Sequence, residues 1–431
     1  MRRRIALGVG AVALAVAGFL LAIREDGDDP ATGGQAVEDT APATIAGTTT
    51  RPATGPGATT GPGATTAAAQ VPTVPTVVVK RRLPFRVGAW EYFLRDAEPQ
   101  AARRKIADAK RVGLESVILQ LFWAPGQRRP AAHELRALRN AAVAARRRDI
   151  EPLVIVTHVG SRTTPRSTAL RDQFASYAAQ LARLVPEFRQ FIIGNEPNLN
   201  RFWLPQFGPN GENVAARDYL ALLAETYDAL KDVSQEIRVV GGALAPRGGD
   251  DPSAPRHTHS PTQFIRDLGR YYRASGRDEP VMDAFAHHPY LESSRLPPNF
   301  AHPRTTTISL ADYGKLVNLL GEAFDGTAQP GSDLPILYSE FGVQTSIPPA
   351  KRGVYTNHAS PVAADAVSEA TQRTYYRQAV ELACDQPTVE GLYIFHVWDE
   401  PDLLGWQSGL YYADRTPKSS RNAFGAPAAC R

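Results

Sequence analysis

From Leu83 onward the chain alternates short β-rich apolar runs with segments of helical period, and it does so eight times. The runs are Phe85–Ala89, Ser116–Phe122, Pro152–Thr157, Gln190–Gly194, Ile237–Gly241, Val281–Ala286, Pro335–Ser339 and Gly391–Val397. Helical spacing occupies 98–112, stopped by Gly113, then 131–148, 168–185, 214–233, 261–274, 310–324 and 367–384, with a short last helix near Ser419. Strand–helix alternation predicts a parallel sheet with helices outside it. Eight such units predict closure into a (β/α)8 TIM barrel. An open doubly wound sheet is the alternative, but no Gly-rich phosphate loop follows the first run. The longest insertions, Pro246–Ser260, Leu291–Ser309 and Val343–Ala364, all follow strands, on the rim where barrels build their sites.

The first residues read differently. Arg2, Arg3 and Arg4 precede an uncharged run from Ile5 to Ile23. A helix needs about 20 such residues to cross a bilayer. The run passes straight into Arg24 with no small-residue cleavage site, which favours an uncleaved membrane anchor (1–24) over a cleaved signal peptide. Residues 25–82 are rich in Thr, Pro, Ala and Gly, and no aromatic residue stands between Phe19 and Phe85. Such a stretch cannot offset its chain entropy by burial, so it reads as a disordered linker to a domain at 83–431. The expected location is extracytoplasmic: anchored at the cell surface or secreted.

Charge and cysteine content narrow the function. With 48 basic and 44 acidic residues the net charge is +4, a balance that gives no reason to expect a nucleic-acid binder. Two cysteines exclude a disulfide-dense scaffold and a thiolate zinc cluster. Cys384 and Cys430 can pair outside the cytoplasm, or the tail can be loose.

The five tryptophans, Trp90, Trp123, Trp203, Trp398 and Trp406, all fall at or just after strand ends. Their ordinary use is packing, but indole faces also stack on the C–H faces of sugar rings. Two carboxylates share that rim. Glu196 follows the fourth strand in Phe191-Ile192-Ile193-Gly194-Asn195-Glu196-Pro197, and Glu340 follows the seventh in Ile336-Leu337-Tyr338-Ser339-Glu340. Either glutamate alone reads equally well as a loop ion pair. Together, at one rim and among aromatics, they suit glycosidic cleavage, which needs one protonated and one ionised carboxyl.

Asn195-Glu196-Pro197 and Glu340, in register with His288-Pro289-Tyr290 and Trp398, resemble the signature of glycoside hydrolase clan A. The loop Asn198–Trp203 is similar to that of families 39 and 5, and the tail Gly409–Lys418 resembles the clan's closing segment. The resemblance implies a retaining glycosidase acting on a polysaccharide or oligosaccharide, with no metal or organic cofactor. Glu196 would be acid then base, and Glu340 the nucleophile. Asn195 would bond the sugar 2-hydroxyl, Tyr290 would hold Glu340, His288 would contact substrate or orient a carboxylate, and Trp398 would floor the subsite. Trp90, Trp123, Trp203 and His158 are further candidates for sugar contact. The clan's arginine near the end of the second strand is absent from Val117–Trp123, where Gln120 stands as a partial substitute. A glycan-binding barrel without turnover and a cell-wall transglycosylase are the alternatives. His257-Thr258-His259 reads as a solvated loop rather than a metal pair, and so does Asp250-Asp251.

Overall fold

The computed structural model describes residues 84–91 and 98–424. Eight parallel strands close into one barrel in sequence order, with β8 pairing back onto β1. They are β1 (Arg86–Trp90), β2 (Ser116–Trp123), β3 (Glu151–His158), β4 (Gln190–Ile193), β5 (Arg238–Leu244), β6 (Ala284–His287), β7 (Ile336–Phe341) and β8 (Val389–Phe395). Around them lie α1 (Pro99–Arg111), α2 (Ala132–Arg146), α3 (Thr168–Leu184), α4 (Val214–Lys231), α5 (Pro261–Ser275), α6 (Tyr313–Phe324), a short α7 (Pro349–Arg352) and α8 (Glu369–Cys384). This is the expected (β/α)8 barrel. The anchor and linker expected at 1–24 and 25–82 lie outside the described residues. Among the described residues no helix is long and apolar enough to cross a membrane.

Several boundaries have visible causes. Ser167, Asn213, Ser260 and Ser368 each accept an amide hydrogen of the first turn, so α3, α4, α5 and α8 begin where polar caps stand. The sixth strand starts later than expected because the amides of Val281 and Met282 donate to the Gln329 side chain instead of a strand. The eighth ends earlier because His396 turns to φ 77°, which breaks the ladder. The segment expected as one helix at 310–324 opens with a 3-10 turn at Leu310–Asp312, and the last helix is a 3-10 turn at Ser419–Asn422.

Alternation along the strands divides the core into two layers. Val117, Leu119, Leu121 and Trp123 of β2 face outward into the helix layer, while Ile118 faces inward. The inner layer holds Trp90, Leu153, Ile155, Ile192, Val240, Ala284, Ala286, Leu337, Tyr393 and Phe395. It fills the barrel, so the site can lie only at its mouth. Cys384 is disulfide-bonded, and the chain's second cysteine, Cys430, lies outside the described residues.

Candidate active site

The C-terminal mouth collects side chains from β4, β6 and β7. Glu196 leaves β4 at φ 40°, a left-handed conformation that a non-glycine residue adopts at a cost of about 1–3 kcal/mol. The turn is held from behind. The Tyr219 hydroxyl on α4 donates to the carbonyl of Ile193 at 2.8 Å and accepts the amide of Gly242 at 2.8 Å, joining the ends of β4 and β5. Gly194 sits against the Tyr219 ring at φ 80°, where an added Cβ would stand 3.0 Å from the ring. The Glu196 amide donates to the Ala243 carbonyl at 2.9 Å.

Glu340 reaches the mouth through an irregularity. Tyr338 and Phe341 both face outward, and the register of β7 against β8 shifts between them. Strict alternation would turn Glu340 toward the helices. The extra residue re-aims it, as bulges beside active sites do.

One imidazole joins the two carboxylates. His288, fully buried just after β6, has Nδ1 3.0 Å from Glu196 Oε1 and Nε2 3.7 Å from Glu340 Oε1. The Tyr290 hydroxyl donates to Glu340 Oε2 at 3.3 Å. Burial pushes the Glu340 carboxyl up to about 7, while His288, His396 and the Tyr290 hydroxyl pull it down. Burial also works against a charge on His288, but Glu340 and Glu196 outweigh it and hold the imidazole above its usual range. Tyr290 is pushed well above the usual phenol range by burial and by the two carboxylates. The two acids thus share one imidazole and differ in exposure: the Glu196 side chain is 14% exposed and that of Glu340 9%. Asn195 lies beside Glu196, and its Oδ1 is buried without a hydrogen-bond partner.

The aromatic expectations divide. Trp90 lies in the inner layer, stacked on Phe395 with centroids 5.0 Å apart. Trp406, half-buried, stands at the mouth 5.2 Å from the Tyr290 ring and 5.5 Å from that of Phe395. Trp123, Trp203 and Trp398 instead belong to the outer layer. Trp123 packs edge-on to Phe174 and donates to the Gln127 carbonyl; Trp203 packs edge-on to Tyr219; Trp398 lies under the Arg415 guanidinium. All three are buried, and packing takes up most of each ring. For Trp123 the cause is alternation, since Leu121 and Trp123 share the outer face of β2. His158 ends β3 on its outer face as well. Its Nδ1 meets the Gly160 carbonyl at 2.9 Å, its ring meets Trp203 edge-on, and burial lowers it to about 4. It is a neutral structural histidine.

The loop reading of His257-Thr258-His259 holds only for His257, which is exposed. His259 is buried, with Nε2 3.1 Å from the Gln206 carbonyl and Nδ1 3.6 Å from Asp250. The loop after β5 folds back on the loop after β4, where the Asn198 side chain binds the backbone of Ala245 and His259. Among the described residues no group of three His, Cys, Asp or Glu side chains could hold a metal.

The mouth also contains residues the sequence reading does not single out. His396, fully buried, follows β8 between Glu91 at 3.6 Å and Glu400 at 3.3 Å. Arg247, after β5, donates to the Tyr290 carbonyl and feels Glu292 and Glu196, while burial lowers it from its usual value. Glu91 carries the same signal as Glu196: a glutamate directly after an apolar strand.

No protein-family model matches the sequence, and no curated protein does. Solved structures do. The GH5_18 enzyme of Streptomyces cattleya, determined with GlcNAc, superposes at a TM-score of 0.52 and 16% identity, over 80% of this chain and 79% of that one. The GH39 enzyme of Xanthomonas axonopodis pv. citri gives 0.50 and 15%, over 82% and 70%. The beta-glycosidase BGL167 gives 0.50 and 17%, over 78% and 94%. At these identities the likeness is one of fold, and this chain shares the barrel fold of those glycosidases.

Proposed function

We propose that this protein is a retaining glycoside hydrolase that cleaves O-glycosidic bonds of a polysaccharide or oligosaccharide. The observation that carries the reading is His288 set between Glu196 and Glu340 at the mouth of the barrel. Two carboxylates are thereby coupled through one ring, next to an opening flanked by Trp406. Ionising one such acid raises the proton affinity of the other, so the pair can hold one protonated and one ionised carboxyl.

In the first step a Glu340 oxygen attacks the anomeric carbon as the bond to the leaving oxygen breaks, and Glu196 gives its proton to that oxygen. In the second, Glu196 takes a proton from water, whose oxygen attacks the same carbon and releases Glu340. Tyr290 holds Glu340 by its hydroxyl. Asn195, with its carbonyl oxygen free, is placed to accept a sugar hydroxyl. Sugar stacking falls to Trp406, with Trp90 beneath. The domain reading of an anchor, a linker and a barrel from residue 83 places this chemistry outside the cytoplasm, held on a tether.

A glycan panel and aryl glycosides test the reading, with Glu340→Gln and Glu196→Ala as controls. Glu340→Gln should lose activity by at least about 10³-fold on every substrate. Glu196→Ala should lose it mainly on substrates with poor leaving groups, which need the proton. NMR of the first-formed anomer should show retained configuration. An inverted anomer, or wild type and Glu340→Gln equally inert across the panel, would end the proposal. Longer oligosaccharides among the products would mark sugar rather than water as acceptor.

A further inference from the structure

The Glu340 carboxyl is buried, and a buried carboxylate is costly unless a cation faces it. His288 faces it, but is shared with Glu196. A second imidazole stands on the neighbouring strand. β8 pairs with β7 through Ile394 and Phe341, and two residues beyond Ile394 the chain reaches His396. This imidazole is fully buried, with Trp90 and Phe395 beside it at 5.9 and 3.8 Å between centroids. Its Nδ1 faces Glu91, 3.6 Å away and itself fully buried, and its Nε2 faces Glu400 at 3.3 Å. Glu91 is fixed in turn, because its Oε2 accepts the Val397 amide at 3.0 Å. The backbone serves the same placement. His396 adopts φ 77°, and its amide donates to the Trp90 carbonyl at 3.1 Å, tying the end of β8 to that of β1.

We propose that His396 is a positioning residue for the glycosidase reaction: an imidazolium clamped by Glu91 and Glu400 that gives Glu340 a fixed positive charge on its β8 side. The inference rests on the glycosidase reading only for what Glu340 does. Two carboxylates on one imidazole hold it charged: burial alone would discharge it, but Glu91 and Glu400 raise it to about 9. Glu91 and Glu400 carry the charge that opposes ionisation of Glu340, so the assignment requires the imidazolium to act on Glu340 more strongly than the acids that sustain it, and the titration below measures that balance. His288 must accommodate Glu196 as its proton comes and goes. His396 has no such duty and keeps its charge throughout the cycle.

Coupling between two titrating groups is reciprocal, so it can be read from either side. Full-length protein labelled with ¹⁵N-histidine would be titrated by NMR. The signal is assigned by its loss in His396→Asn, an exchange to a residue that tolerates left-handed backbone, or by its displacement in Glu400→Gln. The His396 ring should stay doubly protonated at pH 8, and in Glu340→Gln its midpoint should fall by about one unit. A neutral ring at pH 7, or a midpoint unmoved by Glu340→Gln, overturns the proposal whether or not the protein turns over. On the kinetic side, His396→Asn should shift the acid limb of kcat/KM upward by about one unit with KM nearly unchanged. An unmoved limb with kcat and KM as in wild type also overturns it. If His396→Asn does not fold, Glu400→Gln serves, with a lowered His396 midpoint and a new alkaline loss of activity at that midpoint. An intact NMR coupling in a protein inert on all glycans would sink the glycosidase reading and leave the His396–Glu340 pairing standing.

Discussion

Nδ1 of His288 stands 3.0 Å from Oε1 of Glu196, and the other nitrogen of the same ring is turned to Glu340. A single side chain therefore senses the charge on both acids. His288→Asn keeps a polar group near Glu196 but cannot span the pair. We expect kcat to fall by about 10²-fold, the loss typical of one preorganised electrostatic contact, with KM changed little. Steady-state kinetics would check this, and a large rise in KM with kcat intact would assign His288 to ground-state binding instead.

The acid limb of the activity should belong to Glu340. Its carboxyl is raised by burial to about 7, so below that pH it is mostly neutral and cannot attack. Activity should rise with pH through about 7 and be lost on the acid side. Tyr290→Phe removes the hydroxyl that favours the anion. One hydrogen bond to a charged group is worth about 1.5 kcal/mol, so the limb should move up by about one unit. A kcat/KM profile of wild type and variant measures the shift; a downward displacement would contradict the assignment.

The tryptophans separate by layer, and so should their variants. Trp406→Ala should raise KM by roughly 10-fold through lost stacking and leave the melting temperature nearly unchanged. Trp123→Ala should do the reverse, costing about 3–5 kcal/mol of stability because a fully buried ring is removed. Denaturant melts and substrate saturation curves on the two variants decide between packing and contact.

These layers mark how far the sequence could be read. The barrel was legible because period is local: eight apolar runs and seven helical stretches each carry their own signal. The rim positions of Glu196 and Glu340 were legible for the same reason. The direction of a side chain at a strand end was legible only where alternation holds. Counting on from Leu121 assigns Trp123 to the outer face, so its packing role could have been read from sequence. The same count fails for Glu340, because the extra residue in β7 is set by pairing with β8 and leaves no local mark. His396 is hidden likewise. Its partners Glu91 and Glu400 follow β1 and β8, and only barrel closure brings the first of them near.

The closing segment is held by a buried ion pair. Lys418 Nζ lies 2.6 Å from Asp399 Oδ1, and neither side chain is exposed. The pair is fully bonded: Lys418 also reaches Thr345 and the Gln407 carbonyl, while Asp399 accepts from the Tyr355 hydroxyl and the Gly409 amide. Burial raises Asp399 and lowers Lys418, each held back by the other. Removing one partner strands a charge without water. Lys418→Met should therefore destabilise the fold by about 3–5 kcal/mol. Adding Asp399→Asn removes the stranded charge and should recover a large part of that loss, because the amide oxygen can still accept from the Gly409 amide while its nitrogen donates to the Tyr355 hydroxyl oxygen. Denaturant unfolding of the two single variants and the double closes the cycle. If the double variant is as unstable as the sum of the singles, the segment is held by packing and the pair contributes nothing of its own.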